Sequence, residues 1–502
     1  MQQLKDELIV SEDPGLRVRG PEVSKPSSVF LSRPALALVT LLGIAGLLEL
    51  VPGLERLRLL SAKPTKESTA PVAAMASAPK EIGEAELSGE TTTGVGAEAT
   101  DGQRAQGPIA AASPAAAPKL DKEPPVALFD PSGKALDGFF AALDRVQGKQ
   151  PGAIARIAHF GDSIVVSDLV SGTLRRKFQS EFGDAGHGFM LIANAWPAYF
   201  HNDVTRYATS GWKVSRIVGP LAADNWYGLG GVSFRADAHA LARWGTAKSG
   251  EFGKNVSRFT IVYVEEPKGG RFQVRLDGKD VGVVDTSGAE KRVRQHDVSA
   301  PDGSHELEIQ TLSGQSRLFG VILERDVPGV VLDALGVQGA PIRFLDQQDD
   351  AHWAEQLGAR KPDLVIYQFG ANESGAGLSY PMAEYHRTMK DVVAQGRKAL
   401  PQAGCLLIGA MDRAKKEGDV LVSMSIIPHL IEEQRKVAEE LGCAFFDTFR
   451  AMGGNGSMPS WVRRGLGNAD MVHPTGAGAD ALGTWIFRAL LKNYAEYKAR
   501  RR

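Results

Sequence analysis

The strongest constraint on the fold is an alternation of two periodicities. From Gly329 onward, apolar strand-length runs at 330–335, 363–369, 405–410 and 444–448 take turns with helical segments around 381–399, 428–441 and after Pro474. Short apolar runs of this kind, separated by amphipathic helices, predict a parallel sheet with helices packed on both faces. One more member of the pattern lies far upstream. Residues 155–160 (ARIAHF) read as a strand, followed by a turn and an amphipathic helix over 167–182, with Ser167 as its N-cap and Gly183 as the glycine that ends it. Between the two parts the texture is different: 258–266, 270–285 with an Asp277-Gly278 hairpin signal, 305–311 and 318–324 are short strands between turn residues. The expected architecture is a three-layer, flavodoxin-like α/β domain in two pieces, 126–204 and 329–502, split by an all-β sandwich inserted at 205–328.

The N-terminal quarter cannot extend that core. No Phe, Tyr or Trp occurs between Leu31 and Leu128, and residues 61–125 are dominated by Ala, Pro, Gly, Thr and Ser, the composition that marks 53–125 as a flexible linker. At 5 to 6 Å times the square root of its length, such a linker spans on the order of 45 Å. Ahead of it, a polar segment over 1–33 leads into an uncharged run at 34–48 (PALALVTLLGIAGLL), extendable to 52. With no neighbouring apolar sequence to bury it, 34–52 is expected to be a single transmembrane anchor, although it is short of the roughly 20 residues that span comfortably. Basic residues on its two sides balance, so charge does not set its orientation.

Composition excludes several function classes. Lys and Arg number 58 against 59 Asp and Glu, so no global field draws the chain onto nucleic acid, and no nucleic-acid partner is expected. The two cysteines, Cys405 and Cys443, fall in or beside apolar strands and are expected to pack in the core. No Cys/His spacing suggests a zinc site, and the Gly-rich run at 228–231 lacks the strand-to-helix setting of a phosphate loop, so neither metal nor cofactor is expected.

In an open α/β sheet the ligand sits beyond the carboxyl ends of the strands. The residues that follow the strands form a set: Gly161-Asp162-Ser163, then Gly336-Val337-Gln338-Gly339, then Gly370-Ala371-Asn372-Glu373, and finally Asp470-Met471-Val472-His473-Pro474 before the last helix. Serine, histidine and aspartate are the parts of an activated nucleophile, because a hydroxyl is inert until an oriented base takes its proton. A glycine N–H and an asparagine amide can supply donors where an oxyanion develops. Gly-Asp-Ser alone is a weak signal, and the joint order of the four pieces is the strong one. His159, inside the first strand, reads as a packed strand residue. Trp196, Tyr199, Trp212, Trp226 and Tyr227 fit either a sugar-stacking platform or a sandwich core. The basic cluster from Lys498 to Arg502 reads as a solvated helix end.

These four blocks resemble the SGNH hydrolase superfamily, or GDSL-type esterases, over 126–201 and 329–499. The resemblance implies Ser163 as nucleophile, His473 as general base and Asp470 as its orienting partner. It also implies an oxyanion hole made of the Ser163 N–H, the Gly339 N–H and the Asn372 side chain. Two departures stand out: the third block usually ends in Asp where this chain has Glu373, and the second block offers Gly336 as well as the preferred Gly339. A β-sandwich inserted between the first two blocks is similar to the arrangement in peptidoglycan O-acetylesterases, where the insert is similar to a carbohydrate-binding module. That likeness implies an O-acetylated glycan as substrate and removal of acetyl from the C6 hydroxyl of N-acetylmuramic acid. It further implies a catalytic domain in the periplasm, held at the inner membrane by the N-terminal helix. An O-acetyltransferase of the same fold, and an inactive glycan-binding anchor protein, are the alternative readings.

Overall fold

The computed structural model describes residues 124–501. The expected anchor at 34–52 and nearly all of the linker lie outside this range, and among the described residues no helix is long and apolar enough to cross a membrane.

Five parallel strands form the central sheet: β1 (Ile154–Gly161), β2 (Gly329–Gly336), β3 (Leu364–Gln368), β4 (Gly404–Ile408) and β5 (Ala444–Phe446). Their order across the sheet is β2-β1-β3-β4-β5. Side chains alternate along each strand, and because helices cover both faces, both sets are apolar. Ile157, Leu364, Ile366, Leu406 and Phe446 point into one layer. There they meet helices α1 (Asp137–Gln147), α2 (Val170–Phe182) and the long C-terminal α6 (Gly476–Arg500), through Phe139, Phe178, Leu482 and Ile486. Phe160, Val365, Tyr367 and Leu407 point into the other, against α3 (Asp350–Arg360), α4 (Met382–Ala399) and α5 (Ile427–Glu440).

The segment between α2 and β2 folds as two antiparallel sheets whose inner faces share one apolar core, including Trp244, Ile261, Val274, Ile309 and Leu318. One sheet orders Val204–Ala208, Leu241–Thr246, Glu306–Ser313, Arg271–Leu276 and Lys279–Asp285. The other orders Arg292–Gly303, Val256–Glu265, Ser316–Glu324, Val232–Ala236 and Lys213–Arg216. The hairpin at Asp277-Gly278 forms with φ of 51° and 74°, the left-handed pair that a two-residue turn of the primed type requires. A further strand, Gly186–Met190, joins the second sheet beside Ser316–Glu324, so residues expected in the first α/β segment pair with the sandwich.

One local expectation needs correction, and two others gain detail. Ser167 does not cap α2. The chain forms a short turn at Ser163–Val166, breaks at Asp168 with φ of 48°, and starts α2 at Val170. The break persists because the Asp168 carboxylate is buried and gripped by Arg175 at 2.8 and 3.1 Å and by Ser171 at 2.7 Å. Cys405 and Cys443 are buried, as packing requires, but they also form a disulfide that ties β4 to the start of β5 across 38 residues of sequence. The aromatic residues do not make a platform: Trp196, Tyr199, Trp212 and Tyr227 are buried. Trp226 is covered on both faces, by the His352 ring at 4.2 Å and the Lys291 ammonium at 3.8 Å. At the C-terminus, Lys498 and Arg501 lie over the rings of Tyr494 and Tyr497, and Arg500 pairs with Asp137 at 2.9 Å.

Candidate active site

β1 sits between β2 and β3, so the chain leaves it in opposite directions and opens a crevice at the carboxyl ends of these three strands. Ser163, Gly339 and Asn372 each follow one of them.

Ser163 opens the turn Ser163–Val166 directly after β1. Asp162 caps that turn, its Oδ1 accepting the Ile164 N–H at 3.0 Å. The approach is tight: a Cβ on Gly161 would stand 2.3 Å from the Val165 side chain and 2.9 Å from the carbonyl oxygen of Gln368. Asp162 is buried, which pushes its carboxyl up to about 6, partly offset by the N–H groups of Ile164 and Ala371 and by nearby His473.

His473 arrives on the loop before α6. Its Nε2 lies 2.7 Å from Ser163 Oγ, and its Nδ1 lies 2.7 Å from Asp470 Oδ2. The three-residue spacing from Asp470 to His473 works because the loop closes on the carboxylate. Met471 adopts φ of 60°, and Asp470 Oδ1 accepts the N–H groups of Val472 and His473 at 2.9 and 3.0 Å. Partial burial alone would raise Asp470, but those two N–H groups and the His473 ring hold it below the usual carboxylate range. The Asn468 N–H donates to the His473 carbonyl at 2.8 Å, and Thr475 caps α6 through the Gly478 N–H at 3.2 Å, so the loop is braced on both sides. The side chains of Asp470 and His473 are 48% and 37% exposed, which leaves the imidazole open to substrate and water.

The two glycines of the second block differ sharply. Gly336 is buried at the end of β2, where a Cβ would meet the Val166 nitrogen at 2.3 Å. Gly339 stands on the exposed loop beyond, at φ of 75°, with no atom within 4 Å of where a Cβ would be. Only Gly339 has room for a substrate oxygen to approach. The Asn372 amide nitrogen donates to the Ala340 carbonyl at 3.2 Å and to Asp162 Oδ2 at 3.4 Å, both long contacts. His159 is elsewhere: fully buried, bonded to Gln368 at 2.9 Å and pushed by burial down to about 4, it is a neutral packed side chain.

Sequence reasoning gave no role to three residues that shape this site. Asp162 bridges the first and third blocks. Glu373, next to Asn372, is buried and accepts the Ile342 N–H at 2.9 Å. Arg413 donates to the Ala371 carbonyl at 2.8 Å, fixing the turn that carries Asn372. The first two were visible as members of the motifs, whereas Arg413 had no sequence signal. An exposed hairpin, Ala414–Glu417 with Val420–Ser423, was also missed, and its Ala414 N–H donates to the Met471 carbonyl at 3.1 Å, beside the histidine loop.

Chemically, a hydroxyl hydrogen-bonded to an imidazole, which is in turn held by a carboxylate, is equipped to attack an acyl carbon. Residues 302–481 match the model of the GDSL-like lipase/acylhydrolase family, a stretch that holds Gly339, Asn372, Asp470 and His473 and begins after Ser163. The structure of a peptidoglycan O-acetylesterase is similar with a TM-score of 0.63 at 23% identity, covering 74% of this chain and 99% of that one, which extends the fold likeness over both the α/β domain and the sandwich. A family two carbohydrate esterase from Cellvibrio japonicus aligns over 58% of this chain and 98% of its own at 14% identity, but its TM-score of 0.24 carries no weight. No curated protein matches the chain. The family match over residues 302–481 and the likeness of fold together support a GDSL-like, SGNH-type carboxylic ester hydrolase.

Proposed function

We propose that the protein is a serine esterase that removes O-acetyl groups from peptidoglycan. The observation that carries this reading is the continuous relay from Ser163 Oγ through His473 to Asp470, with both links at 2.7 Å, next to the open Gly339 loop and the Asn372 side chain.

The mechanism is acyl transfer in two steps. Ser163 Oγ attacks the acetyl carbonyl carbon while His473 Nε2 takes its proton, and Asp470 stabilises the resulting imidazolium through Nδ1. The carbonyl oxygen becomes an oxyanion facing the N–H groups of Ser163 and Gly339 and the Asn372 amide. A full negative charge outcompetes the long contacts that the Asn372 amide makes at rest, 3.2 and 3.4 Å. Collapse breaks the bond to the sugar oxygen, which leaves with the proton from His473. Water then attacks the acetyl-serine, His473 takes one of its protons and returns it to Ser163, and acetate departs.

Glycan substrate and location rest on further support. The similar structure with a TM-score of 0.63 is that of a peptidoglycan O-acetylesterase and carries the same pairing of α/β domain and sandwich. The buried Cys405–Cys443 disulfide belongs to an oxidising compartment, which agrees with a catalytic domain in the periplasm, tethered to the inner membrane by 34–52. The test is acetate release from O-acetylated peptidoglycan by the wild-type protein beside Ser163→Ala.

A further inference from the structure

Glu373 has no part in the acyl-transfer cycle, yet it is fully buried beside Asn372. A buried carboxyl is costly unless it is bonded, so its retention points to a task. Its Oε1 accepts the Ile342 N–H at 2.9 Å, and its Oε2 has no hydrogen-bond partner among the described residues. Burial pushes this carboxyl up to about 7, offset in part by the Ile342 N–H.

Ile342 begins the helical turn Ile342–Gln347, three residues after Gly339. Between them the Ala340 carbonyl accepts from Asn372 Nδ2 at 3.2 Å. Two adjacent side chains of the turn after β3 therefore grip the loop after β2, one at a carbonyl and one at an N–H. Gly339, at φ of 75°, has no atom within 4 Å of where a Cβ would stand, and its turn is closed only by the long contact of the Ala340 N–H with the Val337 carbonyl at 3.3 Å. The gripping turn is itself held, with Arg413 Nη1 on the Ala371 carbonyl at 2.8 Å and the Ser374 N–H on the Gly370 carbonyl at 3.0 Å. Aspartate at this position would be one carbon–carbon bond too short to reach Ile342.

We propose that Glu373 is a positioning residue of the oxyanion hole, holding the loop 339–342 so that the Gly339 N–H meets the developing oxyanion. The proposal rests on the esterase reading above and adds to it the reason this chain carries glutamate in its third block. Glu373 touches no substrate; it acts through Ile342 on the placement of one donor. Misplacing an oxyanion donor costs transition-state stabilisation and leaves ground-state binding in place.

The test compares Glu373→Gln, Glu373→Met and Glu373→Asp in the full chain, reading kcat and KM on p-nitrophenyl acetate together with the thermal midpoint. Gln keeps an oxygen acceptor for Ile342. Met fills the same space without one, and the buried carboxyl it removes offsets the Ile342 N–H it leaves unpaired. The expected result is kcat near wild type for Gln and lower by about 10- to 100-fold for Met and Asp, with KM within about twofold and a single cooperative thermal transition for each variant. An active wild type whose Met variant keeps its kcat would overturn the proposal alone, as would a Gln variant as impaired as Met. A wild type with no activity on any acetyl ester would instead sink the esterase reading beneath it.

Discussion

The guanidinium of Arg360 grips the carboxylate of Asp333 through two hydrogen bonds, 2.7 and 3.0 Å long, with both side chains buried. The same guanidinium reaches Glu324 at 2.6 Å, and Asp333 also accepts the Phe189 N–H at 2.8 Å. Asp333 belongs to β2, Arg360 ends α3, and Glu324 and Phe189 lie on paired strands of the sandwich, so one cation joins the sandwich to the α/β domain. Three residues beyond the end of β2, the strand that carries Asp333, stands Gly339.

Arg360→Ala leaves two carboxylates buried around a lost cation, with Arg156 and Arg258 still on Glu324 but no cation on Asp333. Breaking a buried pair from one side costs about 3–5 kcal/mol. Urea unfolding at pH 7 should show a loss of this order, and a loss below about 1 kcal/mol would contradict the role given to the joint.

The disulfide makes a second prediction. Cys405 and Cys443 close a loop of 38 residues, which in the chain-entropy account stabilises by about 3–4 kcal/mol. The Cys405→Ala/Cys443→Ala double variant should unfold at lower urea concentration than wild type, and wild type should approach it when a reductant is present. Identical midpoints with and without reductant would show that the bond contributes nothing.

Acid should weaken the junction between α2 and the sandwich. His187 and His201 are buried with no hydrogen-bond partner on any ring nitrogen, and their rings lie 5.9 Å apart. Burial holds His201 down to about 4, against the pull of Asp168, and burial together with Arg175 holds His187 well below the ordinary imidazole range. In the unfolded chain both titrate near 6.5. Between about pH 6.5 and 4 the unfolded state therefore binds more protons than the folded one, and stability falls as pH falls. The His187→Gln/His201→Gln variant cannot take those protons, so its stability relative to wild type should rise from pH 7 to pH 5. A constant difference across that range would refute the assignment.

Asp470 is the most exposed member of the relay, and the backbone N–H groups of Val472 and His473 hold it in place independently of the His473 ring. Asp470→Asn keeps the shape but offers the imidazole a poorer partner, so kcat should fall by about 10²- to 10⁴-fold while KM changes little. Steady-state kinetics on an acetyl ester reads this directly. A variant within threefold of wild type would show that His473 needs no carboxylate.

The parallel strands were legible because burial on both faces leaves uninterrupted apolar runs such as 330–335 and 363–369, and the motif residues were legible because they follow those runs directly. The strand Gly186–Met190 was not, because its sequence GHGFM carries two glycines. The structure explains them: a Cβ on Gly186 would meet the Leu323 carbonyl at 2.5 Å and one on Gly188 would meet Asp333 Oδ1 at 2.2 Å. Pairing of Cys405 with Cys443 depends on β4 and β5 being neighbours, a fact of sheet order that no local pattern encodes. The choice between Gly336 and Gly339 likewise needed the third dimension, since what separates them is the Val166 backbone packed against the first. Glu373 stood out only as a departure from the family pattern, and its partner Ile342 lies 31 residues away on another strand's loop.

The most direct measurement is acetate released from O-acetylated peptidoglycan by the purified protein, with Ser163→Ala beside it. Wild type should release acetate steadily, one per ester consumed, and Ser163→Ala none above background. No release by a folded wild type, or equal release by the alanine variant, would contradict the proposed function.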